Sequence, residues 1–168
     1  PERPFSPGHE GAGVVSSVGE GVDMHSVGDS VAFFKGFGAF AEKIVLPAQM
    51  AFPIPESFPF HIAAGVFMVY GTSYHGLVQR AKINKQDEVL VLGAAGGVGL
   101  AAVDIAKSFG ARVVAAVSTK EKAEVCKGYG VDDVVIYGEE KLDKEGQKAL
   151  TKELKSKNRL IKKKTSKI

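Results

Sequence analysis

The sequence predicts an α/β chain with a β-rich first third: a small barrel or sandwich of short strands, then a doubly wound parallel sheet. Three observations carry this. Glu88–Leu100, EVLVLGAAGGVGL, reads as a buried strand, a glycine-rich turn and the first turn of a helix. After it, strand-like and helix-like stretches alternate, the pattern of a parallel sheet with right-handed crossovers. Before it, short apolar runs are broken by closely spaced glycines, with no βα alternation.

In residues 1–57, Gly8, Gly11, Gly13, Gly19, Gly21 and Gly28 separate runs such as Val14-Val15 and Val31–Phe34. Ile44–Leu46 is a further strand-like run, followed by Pro47, Pro53 and Pro55. A small barrel or sandwich is expected. From Pro59 to Ile83 the pattern turns helical in two pieces, with Gly71 as the break between them. Thr72, Tyr74 and His75 read there as capping and packing residues. From Glu88 the expected order is βαβαβ, with strands Glu88–Leu92, Arg112–Val117 and Asp133–Ile136. The expected helices lie near Val98–Phe109 and Lys120–Tyr129, the first closed by Gly110 at the position after its C-cap.

The glycine turn has a chemical meaning in this setting. A pyrophosphate needs backbone N–H groups brought close to it, and a helix N-terminus adds partial positive charge. In Ala94-x-Gly96-x-x-Gly99, preceded by Gly93, Gly96 allows close backbone approach and Gly99 allows tight helix–strand packing. Strand, turn and helix are the context that makes the fingerprint more than a chance glycine pattern. A dinucleotide site is therefore expected at Ala95, Gly96, Gly97, Val98 and Gly99.

Composition narrows the classes. A chain of 168 residues with 45% hydrophobic content suits one domain or two small ones. The longest apolar stretch, near Ile62–Val69, is far short of the roughly 20 residues of a membrane span. A single cysteine, Cys126, excludes an internal disulfide and a multi-cysteine metal site. It has no histidine partner in sequence and reads as a packed or surface thiol. The net charge of +3 is uneven: residues 148–168 hold nine Lys/Arg and one Glu, so the rest of the chain is mildly acidic. The tail Lys155–Lys167 lacks interleaved aromatics and reads as a solvated, disordered or helical segment, so nucleic acid is not an expected partner.

Four segments in order and spacing now carry a resemblance: PGHEGAGVVSSVGEGV (Pro7–Val22), VGDSV (Val27–Val31), GFGAFAEKIVLPA (Gly36–Ala48) and VLVLGAAGGVGLAAVDIAKSFGARVVAA (Val89–Ala116). Together they resemble the zinc-independent quinone oxidoreductase branch of the medium-chain dehydrogenase/reductase superfamily, the zeta-crystallin-like proteins. The resemblance covers about residues 1–140. It implies a partial GroES-like β-barrel domain over 1–75, a partial Rossmann NADP-binding domain over 76–147, and a basic tail over 148–168. It also implies a fragment lacking family sequence at both ends, hence marginal stability and negligible turnover for this chain alone.

The resemblance further implies an NADPH-dependent enzyme that transfers hydride to a small quinone or α,β-unsaturated carbonyl, cytoplasmic or mitochondrial, off the membrane and homo-oligomeric. No catalytic residue is assigned; Thr72 matches a threonine beside the nicotinamide. Cofactor choice follows from the second strand's end, where an NAD enzyme has an acidic residue for the ribose 2′-OH. Here stands Ser118-Thr119-Lys120-Glu121-Lys122, whose hydroxyl and ammonium groups suit a 2′-phosphate. Ser118-x-x-Glu121 is also a capping box for the next helix. By resemblance Ser118 and Lys122 lie at the 2′-phosphate and Tyr137 on the adenosine side.

The alternatives are a zinc alcohol dehydrogenase and a non-enzymatic crystallin-like or RNA-binding protein. His9-Glu10 matches the pair that zinc-dependent relatives keep, with the histidine on the metal. The place of their cysteine before Gly71-Thr72-Ser73 holds Phe67, Met68, Val69 and Tyr70, which are poor substitutes for a thiolate. No metal site is expected.

Overall fold

The computed structural model describes residues 3–138 and 144–157. It divides into two compact units, Pro1–Gly71 and Thr72–Ile168. In the first unit, β1 (Glu10–Val14), β2 (Ser30–Phe34) and β3 (Ala51–Pro53) form an antiparallel sheet in the order β1-β2-β3. Gly11 lies opposite Phe33 in register, and a Cβ on Gly11 would come within 2.6 Å of the Phe33 ring. The absence of a side chain at Gly11 thus leaves room for the Phe33 ring.

The run Ile44–Leu46 is not a strand, contrary to its apolar pattern; the third strand is Ala51–Pro53. A strand requires a ladder partner, and none of the described strands pairs with 44–46. Val45 is 89% exposed, and its carbonyl takes a hydrogen bond from Lys35 Nζ instead.

Helix α1 spans Phe60–Ala63. Helical turns then run through Phe67–Gly71, α2 (Thr72–Tyr74) and His75–Arg80. Gly71 is therefore not the break expected; the interruption comes at Ala64-Gly65. Glycine weakens a helix by only about 1 kcal/mol against alanine, too little to stop one that is packed. The turns on either side of α2 are widened to π-helical form, as the Ala81 N–H to Gly76 carbonyl bond shows.

The second unit holds the parallel sheet. Strands β4 (Glu88–Leu92), β5 (Arg112–Val117) and β6 (Asp133–Ile136) lie in the order β4-β5-β6, at the expected bounds. Helices α3 (Gly97–Ser108) and α4 (Lys120–Gly128) are the two crossovers. Each ends on a glycine with positive φ, Gly110 and Gly130. At α3 the Gly110 N–H bonds the Lys107 carbonyl and the Ala111 N–H bonds the Ala106 carbonyl, the paired bonds of a Schellman end.

Both faces of the sheet are covered. On one side Val91, Val103, Ala106, Val113, Ala115 and Cys126 join α3 and α4 to the strands. On the other, Val114, Ala116 and Val135 meet Leu150 and Leu154 of α5 (Lys144–Lys157). The basic tail expected from residue 148 thus begins inside a helix that docks through two leucines spaced i, i+4. Residues 158–168, the rest of that tail, lie outside the described residues. The strands' N-terminal ends are cross-linked by charge, with Arg112 paired to Glu88 and to Asp133.

Two expectations follow. A Cβ on Gly99 would sit 2.5 Å from the Gly93 carbonyl oxygen and 2.7 Å from Ala94 Cα, all rigid backbone. Gly99→Ala should therefore lower the unfolding free energy by about 1–3 kcal/mol in denaturant melts, and an unchanged midpoint would contradict the packing described. The second concerns acid. Burial pushes the Asp132 carboxyl up, but bonds from Lys107 and the Val113 N–H, with the charges of Lys107 and Arg112, leave it below its ordinary value of 3.8. A depressed carboxyl stabilises the fold above its unfolded value and loses that contribution as pH falls through the folded one. Asp132→Asn should cost at most about 1 kcal/mol near neutrality, since the pair is solvent-screened, and still less near about pH 3. Equal losses at both pH values would refute this assignment.

Candidate functional site

The C-terminal edge of the parallel sheet gathers most of the residues expected to bind a ligand. In open α/β sheets this is the edge where ligands bind. Beyond β4 the chain turns at Gly93, φ +63°, a conformation that side chains rarely adopt. The Ala94 N–H then bonds the Ala116 carbonyl of β5, tying the turn to the middle strand. Gly96 is the N-cap of α3 and supplies no side-chain bond. The first N–H groups of a helix have no intrahelical acceptor, so those of Gly97, Val98 and Gly99 face outward from an end that no side chain caps. That is the donor set a pyrophosphate needs. Ala95, Gly96, Gly97, Val98 and Gly99 are thus one turn, and they sit at the helix start.

Beyond β5, Ser118 and Lys122 converge: Lys122 Nζ donates to Ser118 Oγ at 2.7 Å. The capping box, however, is shifted by one residue. Thr119, not Ser118, is the N-cap of α4, and its hydroxyl oxygen accepts from the Lys122 N–H at 3.3 Å. Spacing alone could not separate two adjacent hydroxyl residues; the β5 ladder extends through Val117 and decides it. The shift leaves the Ser118 hydroxyl to the ammonium. Glu121, the acid of this turn, is turned back on the helix start. Bonds from its own backbone N–H and from Thr119, with the nearby charge of Lys122, hold its carboxyl below the usual range.

Tyr137 follows β6. Its N–H bonds the Val117 carbonyl at 2.9 Å, and its ring packs on the face of Val114, Ala116 and Val135. It therefore stands beside the β5 end that carries Ser118. Thr72 is exposed on α2. Its neighbour Ser73, which sequence reasoning passed over, is buried and donates from Oγ to the Val98 carbonyl at 2.9 Å. A small polar residue inside an apolar helical stretch was the available signal. His75 Nδ1 lies 2.7 Å from Gln79 Oε1, one helical turn on.

In the first unit His9 is exposed, while Glu10 Oε2 accepts the Met68 backbone N–H at 2.9 Å. The acid of the His-Glu pair is thus engaged by backbone. Among the described residues no group of three His, Cys, Asp or Glu is placed to hold a metal ion. Cys126 is fully buried, and burial pushes its thiol up, away from the reactive thiolate. No helix among the described residues is long and apolar enough to cross a membrane.

Comparison with known proteins fits this geometry. A family model described as an alcohol dehydrogenase GroES-like domain matches residues 1–56, and one described as a zinc-binding dehydrogenase matches residues 97–156. The quinone oxidoreductase-like protein 2 homolog of Nematostella vectensis is 42% identical over 153 residues, which is 90% of this chain and 41% of that protein. A probable quinone oxidoreductase of Leishmania amazonensis is 40% identical over 143 residues, 84% of this chain and 41% of that protein. The crystal structure of Escherichia coli quinone oxidoreductase complexed with NADPH superposes with a TM-score of 0.81 at 34% identity, over 93% of this chain and 46% of that one. The chain spans less than half the length of each of these three relatives.

The cap assignment can be tested directly. Thr119→Ala should destabilise the second unit by about 0.5–1 kcal/mol, the lower part of the range for a lost N-cap. Ser118→Ala should leave the unfolding midpoint nearly unchanged. The reverse order would restore Ser118 as the cap.

Proposed function

Because this chain belongs to the zinc-independent quinone oxidoreductase branch of the medium-chain dehydrogenase/reductase superfamily, we propose that it forms the NADPH-binding part of an oxidoreductase acting on quinones or α,β-unsaturated carbonyls. The observation that carries the cofactor choice is the Ser118 hydroxyl and Lys122 ammonium, 2.7 Å apart at the end of β5. A 2′-phosphate accepts from both, whereas the acid that would pair with a ribose diol is missing at Ser118. NADPH, when bound, supplies the hydride.

The chain's own residues bind and orient. The N–H groups of the Ala95–Gly99 turn hold the pyrophosphate, helped by the positive end of α3. Lys122 neutralises phosphate charge and Ser118 donates a hydrogen bond to it. The Tyr137 side chain borders the adenosine. Thr72, exposed on α2, contacts the nicotinamide side. Glu121 opposes an anion by its charge, but its carboxylate is already bonded to the helix start, which limits that repulsion. Acid–base chemistry is not asked of any residue here; orientation of donor and acceptor carries the rate. The second unit is the cofactor half and the first the GroES-like half. The acceptor is a small molecule, and the assembly is a homo-oligomer, as is usual in the family.

Fluorescence titration of the 168-residue chain with NADPH and NADH tests the reading. NADPH should bind at least about tenfold more tightly, the worth of one to two charge-assisted hydrogen bonds. Lys122→Glu should erase or invert the ratio with little change in NADH affinity. Equal affinity of the unaltered chain for both cofactors would reject the assignment.

A further inference from the structure

A buried hydroxyl reaches the start of α3 from a different element. Ser73, on α2, is only 5% exposed, and its Oγ donates to the Val98 carbonyl at 2.9 Å. Val98 is the second residue of α3. Its carbonyl belongs to the helix ladder, and the hydroxyl uses the second lone pair of the same oxygen. This matters because the helix start has no side-chain cap: the N-cap is Gly96. The backbone of Gly93 and Ala94 also limits the first turn, at Gly99. Ser73 and the Gly99 contact therefore hold one turn between them.

We propose that Ser73 is a positioning residue for the cofactor's pyrophosphate. It acts through Val98, holding the Gly97, Val98 and Gly99 N–H groups in register with α2, which also carries Thr72. One short element then sets the spacing between the pyrophosphate and the nicotinamide-side residue. The inference rests on the dinucleotide reading above and adds to it a residue outside the fingerprint, the capping residues and the strand ends. A hydroxyl suits the task because it can be buried at small volume only if bonded. The bond holds the turn without placing a charge near an anion.

The test compares two ligands that share one end. NADPH uses both the 2′-phosphate residues and the first turn of α3. Adenosine 2′-phosphate has no pyrophosphate and uses only the β5 and β6 ends. In the 168-residue chain, Ser73→Ala should weaken NADPH by about three- to tenfold, the usual worth of one hydrogen bond, and leave adenosine 2′-phosphate unchanged. Ser73→Cys keeps the side-chain shape at slightly larger size but donates poorly, so it should reproduce the selective loss. Amide hydrogen exchange at Gly97–Gly99 should speed up in both variants, with the unfolding midpoint shifted by little. Equal weakening of both ligands would mean general loosening of the fold and would overturn the proposal. So would unchanged NADPH affinity, or loss of the cooperative unfolding transition in both variants. A parent chain that binds neither ligand would sink the dinucleotide reading itself, and this inference with it. Binding of both ligands by the parent, with variants indifferent to the change, would sink only the role of Ser73.

Discussion

The contact between the first turn of α3 and the turn leaving β4 governs the rest of the second unit. At Gly99 the Gly93 carbonyl oxygen and the Ala94 backbone stand where any side chain would begin. That approach lets α3 start at the C-terminal end of β4, the sheet edge where Ser118 and Tyr137 also lie. The Ala94 N–H to Ala116 carbonyl bond then makes the β4 turn continuous with β5. The interior of β5 is built from valine and alanine, with both faces buried from Val113 to Val117. Small and β-branched side chains let two helices come close on one side and α5 on the other.

The two ends of this sheet are electrostatically opposite in purpose. At the N-terminal end Arg112 joins all three strands by pairing with Glu88 and Asp133, and the Glu88 side chain is 7% exposed. Charges there satisfy one another. At the C-terminal end stand a helix start with no side-chain cap and the Lys122 ammonium on a serine hydroxyl. Glu121 feels the Lys122 charge, and its carboxyl is also held by Thr119 and its own backbone N–H.

The parallel sheet was legible because its signals are local. Each strand is a short apolar run, each crossover helix closes on a glycine with positive φ, and the glycine fingerprint has a single geometric solution. What was not legible depends on partners distant in sequence. Ile44–Leu46 has the composition of a strand, but a strand is a pairing, and Ala51–Pro53 holds the place beside β2. Gly71 looked like a break because propensity was weighed without packing. Ser118 and Thr119 differ as caps only by where the β5 ladder stops. Ser73 escaped notice because its acceptor, the Val98 carbonyl, is 25 residues away. That Leu150 and Leu154 of α5 would cover the sheet's second face was not legible, because their partners on β5 and β6 are distant in sequence.

The His-Glu pair shows how a family position can keep its residues while its work changes. In zinc-dependent relatives, by resemblance, the histidine serves a metal whose other ligands include a cysteine near 67–70. Here Met68 contributes its backbone N–H to Glu10, and the side chains around it are Phe67, Val69 and Tyr70. A thioether, two apolar groups and a phenol do not make the thiolate-rich donor set that holds zinc in such sites. Glu10 instead satisfies a donor in the helical turns of Phe67–Gly71 and ties them to β1. The proposed hydride transfer would make its main demand on placement, which backbone anchors of this kind can serve. The same logic runs through the chain. Glu10 on Met68, Ser73 on Val98 and Thr119 on Lys122 are three side chains whose polar atoms bond backbone within a helical turn.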